Sequence, residues 1–180
     1  MTVREATAED ASAIARVHVA SWESTYRGIM SDELIDARTL EVRRSQWARG
    51  VEAEDRVTFV ACDADGEMVG FSSALVLDAA VAGFDSYLQT LYLLPEAQGA
   101  GTGRALLRAL VERFCEYGLR TMALRVVRLN SARSFYEKLG ARLAPEGIAN
   151  DDSEFDDVVY AFDDLEALRE RLASPRNPRQ

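Results

Sequence analysis

Residues 91–104, LYLLPEAQGAGTGR, decide the fold of this chain. The first residues of this stretch read as the end of a strand that stops at Pro95, and a helix is predicted from Gly103 to Gly118. Glycine at positions 99, 101 and 103 lets the backbone approach a ligand closely, and the first amides of a helix are unpaired donors. Such a turn, with the helix dipole behind it, suits a phosphate or a pyrophosphate. A glycine-rich helix entry without a ligand is the alternative that the turn alone leaves open.

Two familiar phosphate-binding motifs do not fit this turn. A nucleotide-hydrolase phosphate loop ends in Gly-Lys-Ser/Thr, whereas this turn ends in Gly103-Arg104-Ala105. The dinucleotide-binding fingerprint needs its third glycine where Arg104 stands. The pattern that does fit is Gln-x-x-Gly-x-Gly, formed by Gln98, Gly101 and Gly103.

The hydrophobic pattern on either side of the turn predicts a mixed sheet of the α+β or α/β type. Predicted strands are Val3–Thr7, Val57–Cys62, Met68–Leu77, Tyr87–Leu94, Met122–Val127 and Val158–Phe162. Helices are predicted around Ile14–Trp22 and at Asp32–Trp47, Gly103–Gly118, Asn130–Leu139 and Leu165–Leu172. Hairpin-linked strands come first and helix crossovers come later, which a doubly wound parallel sheet would not show.

Composition limits the kinds of partner that the chain can bind. The chain has 180 residues, 48% of them hydrophobic, which predicts one domain over residues 1–173 with a flexible tail at 174–180. A net charge of −9 argues against binding to nucleic acid or to an anionic membrane. Cys62 and Cys115 lack the number and spacing of a disulfide scaffold or a zinc site, so no metal is expected. No apolar run fits a signal peptide or a membrane span, and we expect a cytoplasmic protein.

Several segments of the chain resemble the GNAT superfamily of N-acetyltransferases. Gln98, Gly101 and Gly103 resemble its pyrophosphate motif, Gln/Arg-x-x-Gly-x-Gly/Ala. Residues 130–141 look like its Asn…Phe-Tyr-Glu-x-x-Gly helix, and residues 22–28 resemble the Trp…Tyr-Arg-Gly segment of a bacterial subgroup. With a similar closing strand at 159–165, the resemblance spans roughly residues 3–166. It implies the GNAT-like acyl-CoA N-acyltransferase fold, a mixed, mostly antiparallel sheet of about six to seven strands flanked by helices.

The resemblance also implies a reaction and a set of site residues. The reaction is transfer of an acetyl group from acetyl-CoA to a primary amine of a small molecule or peptide, by direct attack in a ternary complex. Tyr136 would be the catalytic acid that protonates the departing thiolate. The residues implied in binding the cofactor are Leu91, Tyr92, Leu93, Gln98, Gly99, Ala100, Gly101, Thr102, Gly103, Arg104 and Asn130. Three plainer roles stay open: a solvated first-turn arginine for Arg104, a helix N-cap for Asn130 and core packing for Tyr136.

The general base is not identified by the sequence. Related sequences frequently carry glutamate where this chain has Tyr87, and the nearby Gln89 is no base either. Asp85, Glu23 and an ordered water are the candidates. His18, the single histidine, lies on the apolar stripe of the first helix, which favours packing over chemistry.

The sequence does not identify the acceptor amine either. The acidic run 151–154, with Asp156 and Asp157, is either a solvated loop or a means of attracting a cationic amine. Trp22 and Tyr26 either shape the amine pocket or pack in the core. Two rival functions are a noncatalytic acyl-CoA-binding module and an acetyltransferase for protein N-termini or lysines. The resemblance also allows a homodimer, which no residue here decides.

Overall fold

The computed structural model describes residues 1–81, 83–144 and 155–174. The acidic run 151–154 and the predicted tail, apart from Ser174, lie outside the described residues.

In the described residues, seven strands form one mixed sheet in the order β1-β2-β3-β4-β5-β7-β6. The strands are β1 (Thr2–Glu5), β2 (Arg56–Cys62), β3 (Met68–Val81), β4 (Phe84–Leu93), β5 (Met122–Val127), β6 (Arg142–Leu143) and β7 (Asp157–Phe162). Among the described strands, β4 and β5 are the parallel pair, and the other neighbours run antiparallel. The expected mixed, mostly antiparallel sheet is therefore confirmed.

Helices cover both faces of the sheet. They are α1 (Ala11–Tyr26), α2 (Asp32–Asp36), α3 (Leu40–Gly50), α4 (Thr102–Glu116), α5 (Arg133–Lys138) and α6 (Leu165–Ala173). α1 and α3 pack on one face, around Val60 and Phe71, whereas α4 and α6 pack on the other, around Phe59 and Leu124. In the described part of the chain, no helix is both long and apolar enough to cross a bilayer.

The predicted apolar face of α4 is the centre of the larger core. Its five side chains are fully buried: Leu106, Leu107, Leu110, Val111 and Phe114. Burial of each such side chain stabilises the fold by about 1.5–3 kcal/mol. This packing fixes α4, and with it the glycine-rich turn, against the sheet.

Two helices replace the single one predicted over Asp32–Trp47. The Ser31 hydroxyl accepts from the amide of Leu34 and caps α2, and the Thr39 hydroxyl accepts from the amide of Val42 and caps α3. Because a second N-cap lies inside the predicted span, the helix is interrupted there and starts again.

The strand boundaries also differ from the prediction. β1 ends at Glu5 rather than Thr7, because the Thr7 amide donates to the Asp10 carboxylate and begins a short 3-10 turn. β4 begins at Phe84, three residues before the predicted start, because β3 extends to Val81 and pairs with it. The two-residue β6 was not predicted at all.

A β-bulge in β4 coincides with the end of its pairing with β5. In the β3–β4 pairing, Ser73 lies opposite Thr90 but Ala74 lies opposite Leu88, so Gln89 is the extra residue. β4 pairs with β5 only through Tyr87 and Leu88. Bulges bend a strand and interrupt its pairing, so the last residues of β4 leave β5 and open a gap in the sheet.

Candidate active site

A cavity of about 490 Å³ lies beside this gap, in front of the N-terminus of α4. Its walls come from the end of α1, the end of β4, the glycine-rich turn and the entry to α5. The lining residues are Ser24, Thr25, Ile29, Leu91, Tyr92, Leu93, Pro95, Gln98, Gly99, Gly101, Gly103, Arg104, Leu129, Asn130, Ser131, Ala132, Phe135 and Tyr136.

The glycine-rich turn presents backbone to this cavity. Gly99 and Gly101 have φ values of 74° and 96°, a left-handed conformation that favours glycine. A Cβ built on either residue would meet no heavy atom within 4 Å, so the space in front of them is open. The first intrahelical bond at this end runs from the Ala105 amide to the Gly101 carbonyl, at 3.0 Å. The amides that precede Ala105 are therefore the donors that a helix start leaves for a ligand.

Two polar side chains flank the turn. The Gln98 amide donates to the Leu93 carbonyl at 3.4 Å and so ties the turn to the end of β4. Arg104 lines the cavity, and its guanidinium donates to the carbonyls of Arg171 and Ser174, the latter at 3.0 Å. The arginine is therefore bonded to the C-terminal end of α6 rather than simply solvated.

Asn130 connects the entry of α5 to α1. Its Oδ1 accepts from the Ala132 amide at 2.8 Å, and its Nδ2 donates to the Tyr26 hydroxyl at 3.4 Å. Burial raises the pKa of the Tyr92 phenol on β4, and the neighbouring Tyr26 raises it further. Asn130 is not the helix N-cap considered from the sequence, because α5 begins at Arg133 with Ala132 as its N-cap; Asn130 instead closes the turn before the helix, and its side chain faces the cavity.

Tyr136 is buried and lines this cavity from α5. Its ring packs edge-on against Phe135, with centroids 5.1 Å apart. Burial raises the pKa of the Tyr136 phenol well above its usual value, and Tyr26 raises it further. The hydroxyl therefore stays protonated at neutral pH and acts as a hydrogen-bond donor.

A smaller cavity of about 60 Å³ lies on the bulge side of β4. It is lined by Tyr26, Leu88, Gln89, Thr90, Leu91, Tyr92, Leu124, Arg125, Val126, Asn130, Ala132 and Tyr136. Because Tyr136 and Tyr92 line both cavities, a group in one cavity can meet a group in the other beside the phenol of Tyr136.

The large cavity brings together the residues named from the sequence, with the exception of Ala100 and Thr102. Ala100 is exposed on the turn, and the Thr102 side chain is buried beneath it. The sequence did not single out Ile29 and Leu129, which line the same cavity. Ile29 directly follows the Trp…Tyr-Arg-Gly segment and Leu129 directly precedes Asn130. These positions could have indicated that both residues lie at the site.

Neither carboxylate proposed as a base lies in either cavity. The Asp85 carboxylate accepts from the amides of Arg120 and Thr121, at 2.9 and 3.0 Å, at the far end of β4. Glu23 pairs with Arg27 at 3.0 Å and lines a separate cavity beneath α2. Within the described residues, the linings of the two site cavities contain no Asp, Glu or His.

His18 packs under the site rather than in it. Its Nδ1 accepts from the Trp47 indole at 3.1 Å, and its ring stacks on Tyr92 at 5.1 Å. Burial lowers the pKa of His18 to about 3, assisted by the positive charges of Arg43 and Arg38. The packing role predicted for this side chain agrees with these contacts.

Comparison with known proteins assigns the chain to a family. Residues 17–141 match the model of the acetyltransferase (GNAT) family, so the chain belongs to that family of EC 2.3.1 acetyltransferases. The chain is 33% identical to YuaI of Bacillus subtilis (strain 168), described as an uncharacterized N-acetyltransferase, over 96% of this chain and 98% of that protein. It is also 33% identical to the aminoglycoside N(6')-acetyltransferase type 1 of Stenotrophomonas maltophilia, over 68% of this chain and 72% of that enzyme.

Solved structures agree with the fold. PaiA N-acetyltransferase from Thermoplasma acidophilum, crystallised with coenzyme A, superposes with a TM-score of 0.71 at 26% identity, over 89% of this chain and 96% of that one. An aminoglycoside 6'-acetyltransferase type Ii superposes with a TM-score of 0.65 at 18% identity, over 98% of this chain and 99% of that one, which is a likeness of fold alone.

Proposed function

We propose that this chain transfers the acetyl group of acetyl-CoA to a primary amine of a small molecule or peptide, by direct attack in a ternary complex. The observation that carries the proposal is the glycine-rich helix start that opens into the 490 Å³ cavity, with the buried phenol of Tyr136 on the same cavity wall. The coenzyme A complex of the PaiA relative and the names of the acetyltransferase relatives support it.

The residues present fit coenzyme A. The turn amides from Gly99 to Arg104 suit a pyrophosphate, because a helix N-terminus favours negative charge and Gly99 and Gly101 leave the approach open. Beyond the bulge, the backbone of Leu91–Leu93 has no strand partner on its β5 side among the described residues, so it can bond the amide-bearing pantetheine arm. Asn130 lies on the opposite wall. When bound, acetyl-CoA supplies the acetyl thioester.

Tyr136 serves as the proton donor. Because its pKa is raised, the phenol holds its proton until negative charge develops on the sulfur of the breaking thioester. A hydrogen-bond donor that interacts weakly with the bound thioester but strongly with the developing thiolate stabilises the transition state more than the ground state. Such a donor lowers the activation barrier. Within the described residues, no hydrogen bond occupies the Tyr136 hydroxyl, which leaves it to the substrate.

Ordered water removes the proton of the acceptor ammonium. The described cavity walls carry no carboxylate or imidazole, and the carboxylates of Asp85 and Glu23 are bonded elsewhere. The amine then attacks in its neutral form, and the water passes the proton on to the bulk solvent.

The remaining expectations belong to the same proposal. Residues 1–173 act as one catalytic domain, without nucleic acid or membrane, in the cytoplasm, and the chain can form a homodimer. The acidic run 151–154, read as either a solvated loop or a means of attracting a cationic acceptor, lies outside the described residues, and Asp156 pairs with Arg128 at 3.0 Å.

A noncatalytic acyl-CoA-binding module is the rival function. The observation in its favour is that no general base faces the cavities among the described residues. Such a module would bind coenzyme A but release no thiol when amines are added.

Thermal melting and a thiol-release assay together test the proposal. At about 100 times its Kd, coenzyme A should stabilise the fold by about 2.7 kcal/mol, which raises Tm by roughly 5–10 °C. NAD and ATP at matched concentration should shift Tm much less. Thiol release that requires both acetyl-CoA and an amine is the expected second result. An equal shift with NAD would contradict the cofactor, and a coenzyme A shift without turnover on any amine would favour the noncatalytic module.

A further inference from the structure

Two half-buried arginines on the α1–α3 side of the sheet lack carboxylate partners. Arg43 on α3 donates to the neutral Gln46 side chain at 2.9 Å. Arg56 on β2 donates to two neutral groups, the Ser73 hydroxyl at 3.2 Å and the Gln89 side chain. Neither forms an ion pair with any residue that the structure describes.

The chain has 30 acidic and 21 basic residues, so carboxylates outnumber cationic side chains. Exposed Arg16, Arg44 and Arg49 form no ion pair within the described residues, but exposed Arg27 pairs with Glu23, Asp32 and Asp36. The two half-buried guanidiniums, whose charge is the more costly to leave without a counter-ion, do not.

Each of these guanidiniums is also incompletely hydrogen-bonded. The Nε atoms of Arg43 and Arg56 are buried and have no acceptor among the residues that the structure describes. Burial lowers the pKa of both groups, and the charge of Arg38 lowers that of Arg43 further. At Arg43 a neighbouring like charge and an unsatisfied donor both favour binding of an anion, whereas at Arg56 the neighbouring charge is the Asp55 carboxylate and only the unsatisfied donor does so.

The two arginines border the candidate active site. Arg43 is close enough to Tyr92, which lines both site cavities, to influence its phenol electrostatically. Arg56 bonds Gln89, the bulge residue that lines the smaller cavity. The side chain of Trp47 lies one helical turn from Arg43, and the Arg56 guanidinium lies over its ring at 5.9 Å.

The rest of the described lining carries the same sign of charge. The charged residues of the two cavities are Arg104 at the phosphate end and Arg125 on β5 at the bulge end. Among the described residues, neither cavity wall offers a carboxylate to a cationic acceptor.

We infer that the acceptor is an amine that also carries an anionic group, a carboxylate or a phosphate, and that Arg43 and Arg56 bind this group. Planar guanidiniums present paired N–H donors that match both anions. The anion fixes the amine on the bulge side of β4, facing the acetyl group across Tyr136. This inference rests on the proposed function, since it assigns the acceptor of the same site.

Matched pairs of amines test the inference with the wild-type chain. We would compare β-alanine with β-alaninamide and 2-aminoethyl phosphate with ethanolamine, with spermidine and kanamycin as cationic amines. The anionic member of at least one pair should have a kcat/KM about 10- to 100-fold higher than its neutral partner. The pair that shows the preference distinguishes a carboxylate from a phosphate.

Substitutions then locate the preference. Arg43→Gln and Arg56→Gln should bring the anionic-to-neutral ratio to near one through the KM for the amine, with the KM for acetyl-CoA unchanged. Arg43→Lys keeps the positive charge but loses the paired N–H donors of the guanidinium, so it should retain part of the preference for the anionic amine. Arg44→Gln is the matched control, because it removes the same charge from an exposed neighbour on α3 and should leave the ratio unchanged.

Two results overturn the inference while leaving the proposed function intact. One is turnover of neutral or cationic amines that equals or exceeds that of their anionic partners. The other is an anion preference that survives in folded Arg43→Gln and Arg56→Gln. No turnover with any amine, despite stabilisation by coenzyme A, overturns the proposed function and this inference with it.

Discussion

Lowering the pH from 7.5 to 5.0 should destabilise this fold by about 2 kcal/mol through one residue, His18. His18 is the single histidine of the chain, and its pKa is lowered from 6.5 to about 3, chiefly by burial. At pH 5.0 the unfolded chain takes up a proton at this ring while the folded chain does not. Stability from a lowered pKa is present above the unfolded value of 6.5 and is lost as the pH falls. The 1.5 pH units below 6.5, at about 1.36 kcal/mol each, give the predicted loss.

Urea unfolding followed by tryptophan fluorescence at pH 7.5, 6.5 and 5.0 measures this loss. His18→Gln is the comparison, because it keeps a hydrogen-bond acceptor for the Trp47 indole but does not titrate in this range. The variant should be less stable at pH 7.5, yet its free energy of unfolding should change little with pH. Two results would refute the burial of His18, where α1 and α3 pack over Tyr92, as the cause of this pH dependence. One is a loss of unfolding free energy under about 0.5 kcal/mol in the wild type, and the other is an equal loss in His18→Gln.

Three other outcomes follow from the site geometry. Tyr136→Phe should lower kcat by about 100- to 10,000-fold with the KM for acetyl-CoA little changed, and a near wild-type kcat under conditions where chemistry limits the rate would remove Tyr136 from the mechanism. Gly70→Ala should cost about 1–3 kcal/mol in urea unfolding, because the new Cβ would overlap the Leu93 side chain and lie 3.0 Å from the Tyr92 carbonyl oxygen; unchanged stability would contradict that packing. The kcat/KM for the amine should rise with pH up to the pKa of the amine itself, since water removes its proton; a plateau near pH 7 would instead reveal a base on the protein.

The sequence predicted best those features that depend on local pattern. The helix start at the glycine-rich turn follows from residues close in the chain, and so does the buried face of α4. Local caps explain the main helix error, since Thr39 could have been recognised as a second N-cap inside the predicted span.

Features set by distant parts of the chain were not predictable in this way. The bulge at Gln89 depends on the register of β3 against β4, which no single segment encodes. The contact of Tyr26 with Asn130 joins residues 104 positions apart. Asp85 looked available as a base because its bonds to Arg120 and Thr121 arise only once β4 and β5 are paired.

Binding of coenzyme A at the turn between β4 and α4 is the central claim, and calorimetric titration of Gly103→Val tests it most directly. Gly103 is a better position than Gly101, where a φ of 96° would strain any side chain whatever the ligand. The Cβ at Gly103 comes within 3.3 Å of the Leu93 side chain, a contact that a small shift relieves, and the added methyl groups extend into the cavity. Gly50→Val, at the end of α3, is the control for valine in a helix.

The wild type and Gly50→Val should bind one coenzyme A per chain with similar Kd. Gly103→Val should melt as a folded protein but bind about 10- to 100-fold more weakly, because the pyrophosphate loses charge-assisted hydrogen bonds to the turn amides. An unchanged Kd in folded Gly103→Val would contradict the account.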